Sequence, residues 1–258
     1  MSAFTTSIIE PSALTPAERA AFTDELFASH QRIFTGIDRA EFAAYVVDSP
    51  AALTRIHVLR DLEGTIRGYT AFHRFHRERA GAPTLIVRLE SGYESEYRRR
   101  NVQGPFLIAE VLKLCLGFPR LPKYILGSFV HPSAYVALRR HTREIWPRQD
   151  RETPSDVRTF MSELARDFSL EPVDERPGVY RVGWVTRESR REGRVWRQRI
   201  DADASYFVEQ NPEYRTGQGL LTLIPLHLRA LILGAGIFLR RNLGRSQPVP
   251  APRSVQSA

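Results

Sequence analysis

Cysteine occurs once among the 258 residues, at Cys115. That excludes an internal disulfide and a thiolate metal cage, and in its apolar run the residue reads as small buried filler. Lysine is nearly absent. Lys113 and Lys123 are the only two, so arginine supplies almost all the cations behind the net charge of +8. No zinc-finger spacing, RNA-binding aromatic signature or lysine-rich tail accompanies that charge, and nucleic acid is not an expected partner. No Ser-His-Asp, HExxH or P-loop signature occurs, which leaves hydrolase and nucleotide-phosphate readings without support. The first residues lack a basic stretch followed by an apolar core, so the cytoplasm is the expected compartment. Residues 1–50 are net acidic, and no acidic residue follows Glu213. Such a balance suits phosphates or an anionic lipid surface.

What is present begins with two helix starts. Thr15-Pro-Ala-Glu18 is a capping box with proline at the first helical position, and Asp38-Arg-Ala-Glu41 repeats the signal. The first helix offers Phe22, Leu26, Phe27 and Ile33 as its apolar face. The second runs to about Val47, where Ser49-Pro50 stops it. Residues 55–60, 65–75 and 84–92 alternate as strands, with a turn at 61–64 and a polar break at 77–83. Residues 106–116 have helical spacing, 124–130 form a fourth strand, and 133–140 another helix. His73 and His76 are three apart in a strand and point to opposite faces, so no metal site is expected from them with His131.

The chain is organised around Glu90-Ser-Gly-Tyr-Glu-Ser-Glu-Tyr-Arg-Arg-Arg-Asn-Val-Gln-Gly104. A strand precedes it and a helix follows, with Pro105 at the helix start. A loop that opens a helix presents unpaired backbone N–H groups to an anion. Arg98, Arg99 and Arg100 add charge there. As plain structure this is an arginine-rich surface loop.

Tyr97-Arg98-Arg99-Arg100-Asn101-Val102-Gln103-Gly104 resembles the acyl-CoA-binding motif of the GCN5-related N-acetyltransferase (GNAT) superfamily, aromatic-Arg-x-x-Gly-x-Gly/Ala. Asn101 stands at the first glycine, a mild change because Asn tolerates positive φ. Gln103 stands where the family has Gly or Ala, and its side chain could crowd the phosphates. The order of elements from Thr15 to His141 fits the same superfamily, so the chain is identified as a divergent member.

The resemblance implies an α/β fold, a mixed, mostly antiparallel sheet flanked by helices; the residues beyond it read as a C-terminal α+β extension ending in an apolar helix. The resemblance implies acetyl-CoA or another acyl-CoA as co-substrate, without a metal. The reaction would be acyl transfer to an amine, the acceptor being a small molecule or lipid-like. The cofactor would be held by Tyr93, Arg98, Arg99, Arg100, Asn101, Val102, Gln103 and Gly104. Glu90, on the strand entering the loop, is the candidate base; Tyr135, one turn early for the family's tyrosine, is the candidate acid. Each has a structural alternative, a solvent-facing strand carboxylate and a helix-packing tyrosine. A non-catalytic acyl-CoA binder or membrane-surface protein of the same fold is the rival reading.

The expected organisation is a flexible leader over 1–14, the GNAT-like domain over 15–146, an extension over 147–218, an apolar basic helix over 219–245 and a disordered tail over 246–258. Trp146 to Pro154 reads as a linker, 154–168 as a helix, 178–186 as a strand, and 195–200 as its hairpin partner. Tyr214-Arg215 with Gly217 and Gly219 resembles a second, shortened loop, which would require a tandem unit. The last helix, apolar and followed by Arg240, Arg241 and Arg245, could pack on the extension or lie on an anionic membrane surface.

Overall fold

A computed structural model describes residues 4–98, 102–140, 142, 144–173, 176–188, 194, 196 and 201–226. Strand β1 (Thr5–Ile9) precedes helix α1 (Pro16–Ile33) and the short β2 (Phe34–Thr35). Helix α2 (Arg39–Phe42) continues as a π-type turn, Ala43–Val47. Three long strands follow, β3 (Leu53–Arg60), β4 (Ile66–Arg79) and β5 (Ala82–Tyr93). Then come α3 (Gly104–Gly117), β6 (Lys123–Phe129), α4 (Pro132–Arg139), α5 (Ser155–Asp167), β7 (Glu171–Pro172), β8 (Val179–Arg181), β9 (Val185–Thr186), α6 (Ala202–Gln210) and β10 (Gln218–Pro225).

Both predicted capping boxes are present, Thr15 with Glu18 and Asp38 with Glu41. Proline in the first turn also starts α3 and α4. One eight-stranded sheet runs in the order β1-β3-β4-β5-β6-β10-β8-β7, and β2 pairs separately with β9. All its pairings are antiparallel except β5 with β6. This is the mixed, mostly antiparallel α/β sheet that the sequence implies.

Strand alternation assigns the two faces. Ile56, Val58, Tyr69 and Ala71 pack with Phe22, Leu26 and Phe42 of α1 and α2. Phe75 and Ile86, on the same face, pack with Phe160 and Leu164 of α5. Phe72, Leu85 and Val87 face the other way, onto Phe106, Val111 and Leu114 of α3 and Tyr135 of α4.

Several expectations are corrected. The leader is not wholly flexible: β1 pairs with β3 from Thr5↔Arg60 to Ile9↔Ile56. Its side chains are mostly exposed, so an edge strand leaves no hydrophobic alternation to read. The polar stretch after Phe75 does not end β4, which reaches Arg79 and turns at Ala80 and Gly81, both at positive φ. Trp146 is no free linker residue; it is buried and bridges Leu223. Residues 178–186 break into β8 and β9, which join different sheets.

The largest correction concerns the apolar helix expected over 219–245. Residues 218–225 are instead β10, between β6 and β8. Leu220, Leu221, Leu223 and Ile224 are all buried, so a strand covered on both faces needs a continuous apolar run, which periodicity cannot separate from a helix. The second loop therefore leads into a strand, not into the helix that the loop of a tandem unit would open. The rest of that helix, the tail, and nearly all of the expected 195–200 partner lie outside the described residues. No helix among the described residues is long and apolar enough to cross a membrane.

Candidate functional site

Strands β5 and β6 are in parallel register from Leu85↔Lys123 to Arg88↔Leu126. Beyond that, β5 continues to Tyr93 and β6 to Phe129 without pairing to each other. One edge of 89–93 and one edge of 127–129 thus face a gap in the sheet. Backbone N–H and C=O groups on such edges need partners. The gap opens at the carboxyl ends of the two parallel strands, the end of an open α/β sheet that ligands use.

The arginine loop leaves β5 at this end. Arg98 Nε donates to the Tyr93 carbonyl at 2.8 Å, which folds the chain back at the strand terminus. Tyr97 is buried with Tyr93 and Leu59, and Val102 packs on that cluster. Arg99, Arg100 and Asn101 lie outside the described residues. Gln103 is the N-cap of α3 with helical φ of −75° and makes no side-chain cap. Gly104 is the first helical residue. The first-turn amides of α3 are therefore without a side-chain acceptor at Gln103 and suit an anion.

Tyr93 points to the α3 side. Its hydroxyl lies 2.9 Å from Thr70 Oγ1 and 3.3 Å from His57 Nδ1. Burial pushes the phenol well up. Gly68 is needed opposite it, because a Cβ there would come within 2.1 Å of the Tyr93 ring.

Glu90 faces the α1 and α2 layer. It is buried, not solvent-facing. Oε1 accepts from Arg88 Nε at 2.6 Å, and Oε2 lies 2.9 Å from His73 Nε2. The second contact is a close approach without hydrogen-bond alignment. His73 Nδ1 in turn lies 3.0 Å from Thr54 Oγ1. Arg88 donates to the Tyr45 carbonyl at 2.6 Å and stacks over the Tyr45 ring. Burial would raise the Glu90 carboxyl, but Arg88 and His73 outweigh it and hold it below the usual range. A carboxylate so held is a weak proton acceptor, since protonation would leave Arg88 buried without its counterion.

Tyr135 lies in the opposite layer. Its hydroxyl donates to the Pro147 carbonyl at 3.0 Å, and its ring sits beside Tyr206 and Phe207. Burial pushes this phenol up as well. The two expected catalytic residues are thus on opposite faces of the sheet and each has a fixed partner. His76 faces away from His73, against Phe118. Among the described residues no cluster suits a metal ion.

A strap that the sequence did not signal crosses the end where the gap opens. From β8, residues 182–188 run past β10 and β6 to β2, where Thr186 pairs with Phe34 and Val185 with Thr35. Val182 N and Gly183 N both donate to the Gly217 carbonyl, at 2.8 and 3.1 Å. Gly36 allows the crossing, for at φ +110° a Cβ would lie 1.9 Å from the Gly183 oxygen. The strap seats Trp184 among His30, Phe34, Phe42 and Tyr45. Phe34 lies against Gly92 of β5, where a Cβ would meet its ring at 2.5 Å. Arg187 O receives Arg98 Nη2 at 3.5 Å, so strap and arginine loop touch.

No protein-family model matches the chain, and no curated protein matches it. Solved structures do resemble it. A GNAT family N-acetyltransferase, YhbS of Escherichia coli in complex with CoA, is 17% identical, with 54% of this chain and 73% of that chain covered and a TM-score of 0.35. Glucosamine-6-phosphate N-acetyltransferase of Arabidopsis thaliana is 15% identical, over 54% and 89% of the two chains, at a TM-score of 0.34. NAA60 of Arabidopsis thaliana in complex with acetyl-CoA is 18% identical, over 54% and 85%, at 0.36.

Proposed function

We propose that this chain binds an acyl-CoA and transfers its acyl group to an amine. The observation that carries the reading is the gap between β5 and β6, bordered by the arginine loop and the uncapped start of α3. CoA combines phosphates with an extended arm of amides. The phosphates suit the helix start and the arginines. The amides suit open strand edges, as an added strand would. The thioester would then lie where the strands part.

Tyr93, Arg98, Val102, Gln103 and Gly104 border that path, and Arg99, Arg100 and Asn101 belong to the same loop. On the α1 side Ile37 and Val182 are partly buried against Phe34 and Trp184, so an acceptor entering there would meet an apolar surface. That wall suits the uncharged body of a small or lipid-like amine. With Glu90 tied to Arg88 and His73, amine deprotonation would fall to water rather than to that carboxylate. The same ties, and the bond from Tyr135 to Pro147, favour a second reading in which the chain binds acyl-CoA without turnover.

Calorimetry with CoA tests the shared step. Replacing Arg98 and Arg100 together with Ala removes charge-assisted contacts worth ~1.5–3 kcal/mol each and is expected to weaken binding by about 10-fold or more. Absence of CoA binding by the wild type refutes both readings, and equal affinity in the double variant refutes the arginine loop as the phosphate site.

A further inference from the structure

His131 lies two residues beyond the end of β6, at the end of the sheet where the gap opens, and caps α4. Its Nδ1 accepts from Ser133 N at 3.2 Å, and Ser133 Oγ lies 2.7 Å from the same nitrogen. An imidazole nitrogen that accepts a backbone N–H is unprotonated. The Ser133 hydroxyl is therefore the donor in its own contact, and the ring proton sits on Nε2. Nε2 lies 3.2 Å from Glu188 Oε2, at the end of the strap. The Glu188 side chain is only 4% exposed. Its other oxygen meets Arg215 Nε at 2.5 Å and the Tyr214 hydroxyl at 3.5 Å. Burial would raise this carboxyl, but the hydrogen bond from His131 and the Arg215 guanidinium hold it below the usual range. The result is a half-buried serine hydroxyl on the basic nitrogen of an imidazole whose other nitrogen is held by a buried carboxylate.

We infer that Ser133, His131 and Glu188 form a reactive centre in which Ser133 takes up the acyl group of an activated ester or thioester. The three groups have the roles of an activated hydroxyl, its general base and the residue that orients the base. Oγ attacks the acyl carbonyl while its proton passes to His131 Nδ1. The imidazolium that forms is balanced by Glu188 across Nε2. The bond to the leaving thiolate or phenolate breaks, and the leaving group takes the proton from Nδ1. Water then attacks the seryl ester, gives a proton to His131, and Ser133 leaves with that proton. Atoms and charge balance, and the net reaction is hydrolysis. No oxidant or metal is required. The centre does not rest on the CoA reading, because any activated acyl ester of fitting size can serve.

A purely structural role predicts that His131 matters only as the cap of α4. Two variants separate the roles. Ser133→Ala retains the backbone N–H that His131 caps. His131→Asn retains a good cap, Asn being among the favoured N-cap residues, but has no base.

Wild type and variants are incubated with 4-nitrophenyl acetate, nitrophenolate release is followed, and the acetylated peptide is located by mass spectrometry. The wild type is expected to carry acetyl on Ser133. Ser133→Ala is expected to carry none there, His131→Asn to react about 100-fold more slowly or worse, and Glu188→Gln about 10-fold more slowly. Melting curves by circular dichroism show whether the variants fold. An unlabelled wild type overturns the inference. So does an acetyl group carried elsewhere at an equal rate in Ser133→Ala, or a wild-type rate in His131→Asn or Glu188→Gln. CoA affinity, measured on the same samples, reports on the acyl-CoA reading alone.

Discussion

Glu90 and Glu188 are both buried carboxylates held below their usual range by a histidine and an arginine, and both lie near the gap between β5 and β6. They differ in what stands at the far side of the histidine. Beyond Glu90, His73 meets Thr54, a side chain between two paired strands. Beyond Glu188, His131 meets Ser133, in the first turn of a helix at the open end of the sheet. The first network is closed and holds the sheet to α2. The second ends on the hydroxyl of a partly buried serine. A buried, perturbed carboxylate is thus a poor marker of chemistry by itself. Access to a group that can form a bond makes the distinction.

The strongest way to break this comparison is to remove the closed carboxylate. Glu90→Ala leaves Arg88 buried beside an empty space and is expected to cost about 3–5 kcal/mol of stability. Urea denaturation monitored by tryptophan fluorescence measures it. A loss below about 1 kcal/mol would mean that water reaches Arg88 and that the network is open. Glu90→Gln would then deserve study as a loss of base.

The layer around Glu90 also excludes protons. His30 is enclosed by Phe34, Phe42 and Trp184, and its Nδ1 lies 2.8 Å from the Tyr69 hydroxyl. Burial lowers its pKa to about 4. The unfolded chain binds a proton there below about pH 6.5, and the folded chain does not. Stability is therefore expected to fall as pH drops from about 6.5 toward 4, by up to about 3 kcal/mol for this residue. His57, also lowered by burial, adds to the same limb. Below that window the depressed carboxyls of Glu90 and Glu188 are lost in turn, since a lowered acid contributes stability that vanishes on protonation. Urea midpoints of wild type and His30→Gln at pH 7, 5.5 and 4 test the first limb. Parallel curves for the two proteins would show that His30 titrates as in water.

Much of the closed network could be read from the chain, and little of the open one. Both helix caps were legible because Thr15 with Glu18 and Asp38 with Glu41 act within one turn. The strand, loop and helix from β5 to α3 were legible because the period changes from two to near four across Gly104. Arg88 and Glu90 are two apart on a strand, hence on one face, and that pairing signal was available for a buried ion pair. His131 and Glu188 are 57 positions apart, and Glu188 sits in a strap whose course is set by Gly36, Gly183 and Gly217 rather than by any periodicity. Strands at the two extremes of burial were also hidden. β1 is too exposed to show alternation, and β10 too buried.

The finest test compares the two hydroxyls. Thr54→Val keeps the shape of the side chain and removes the oxygen 3.0 Å from His73 Nδ1. His73 is fully buried, so that nitrogen has no water to turn to, and the expected cost is about 1–3 kcal/mol. Ser133→Ala removes the corresponding oxygen at His131. There Nδ1 still receives the Ser133 backbone N–H, and Ser133 itself is only partly buried, so the expected cost is within about 0.5 kcal/mol. Chemical denaturation of both variants in one buffer gives the two values directly. A larger loss in Ser133→Ala than in Thr54→Val would mean that the serine is a structural tie and the threonine is not. The open and closed networks would then exchange places, and the acyl-enzyme role of Ser133 would lose its premise of a hydroxyl spared from holding the fold together.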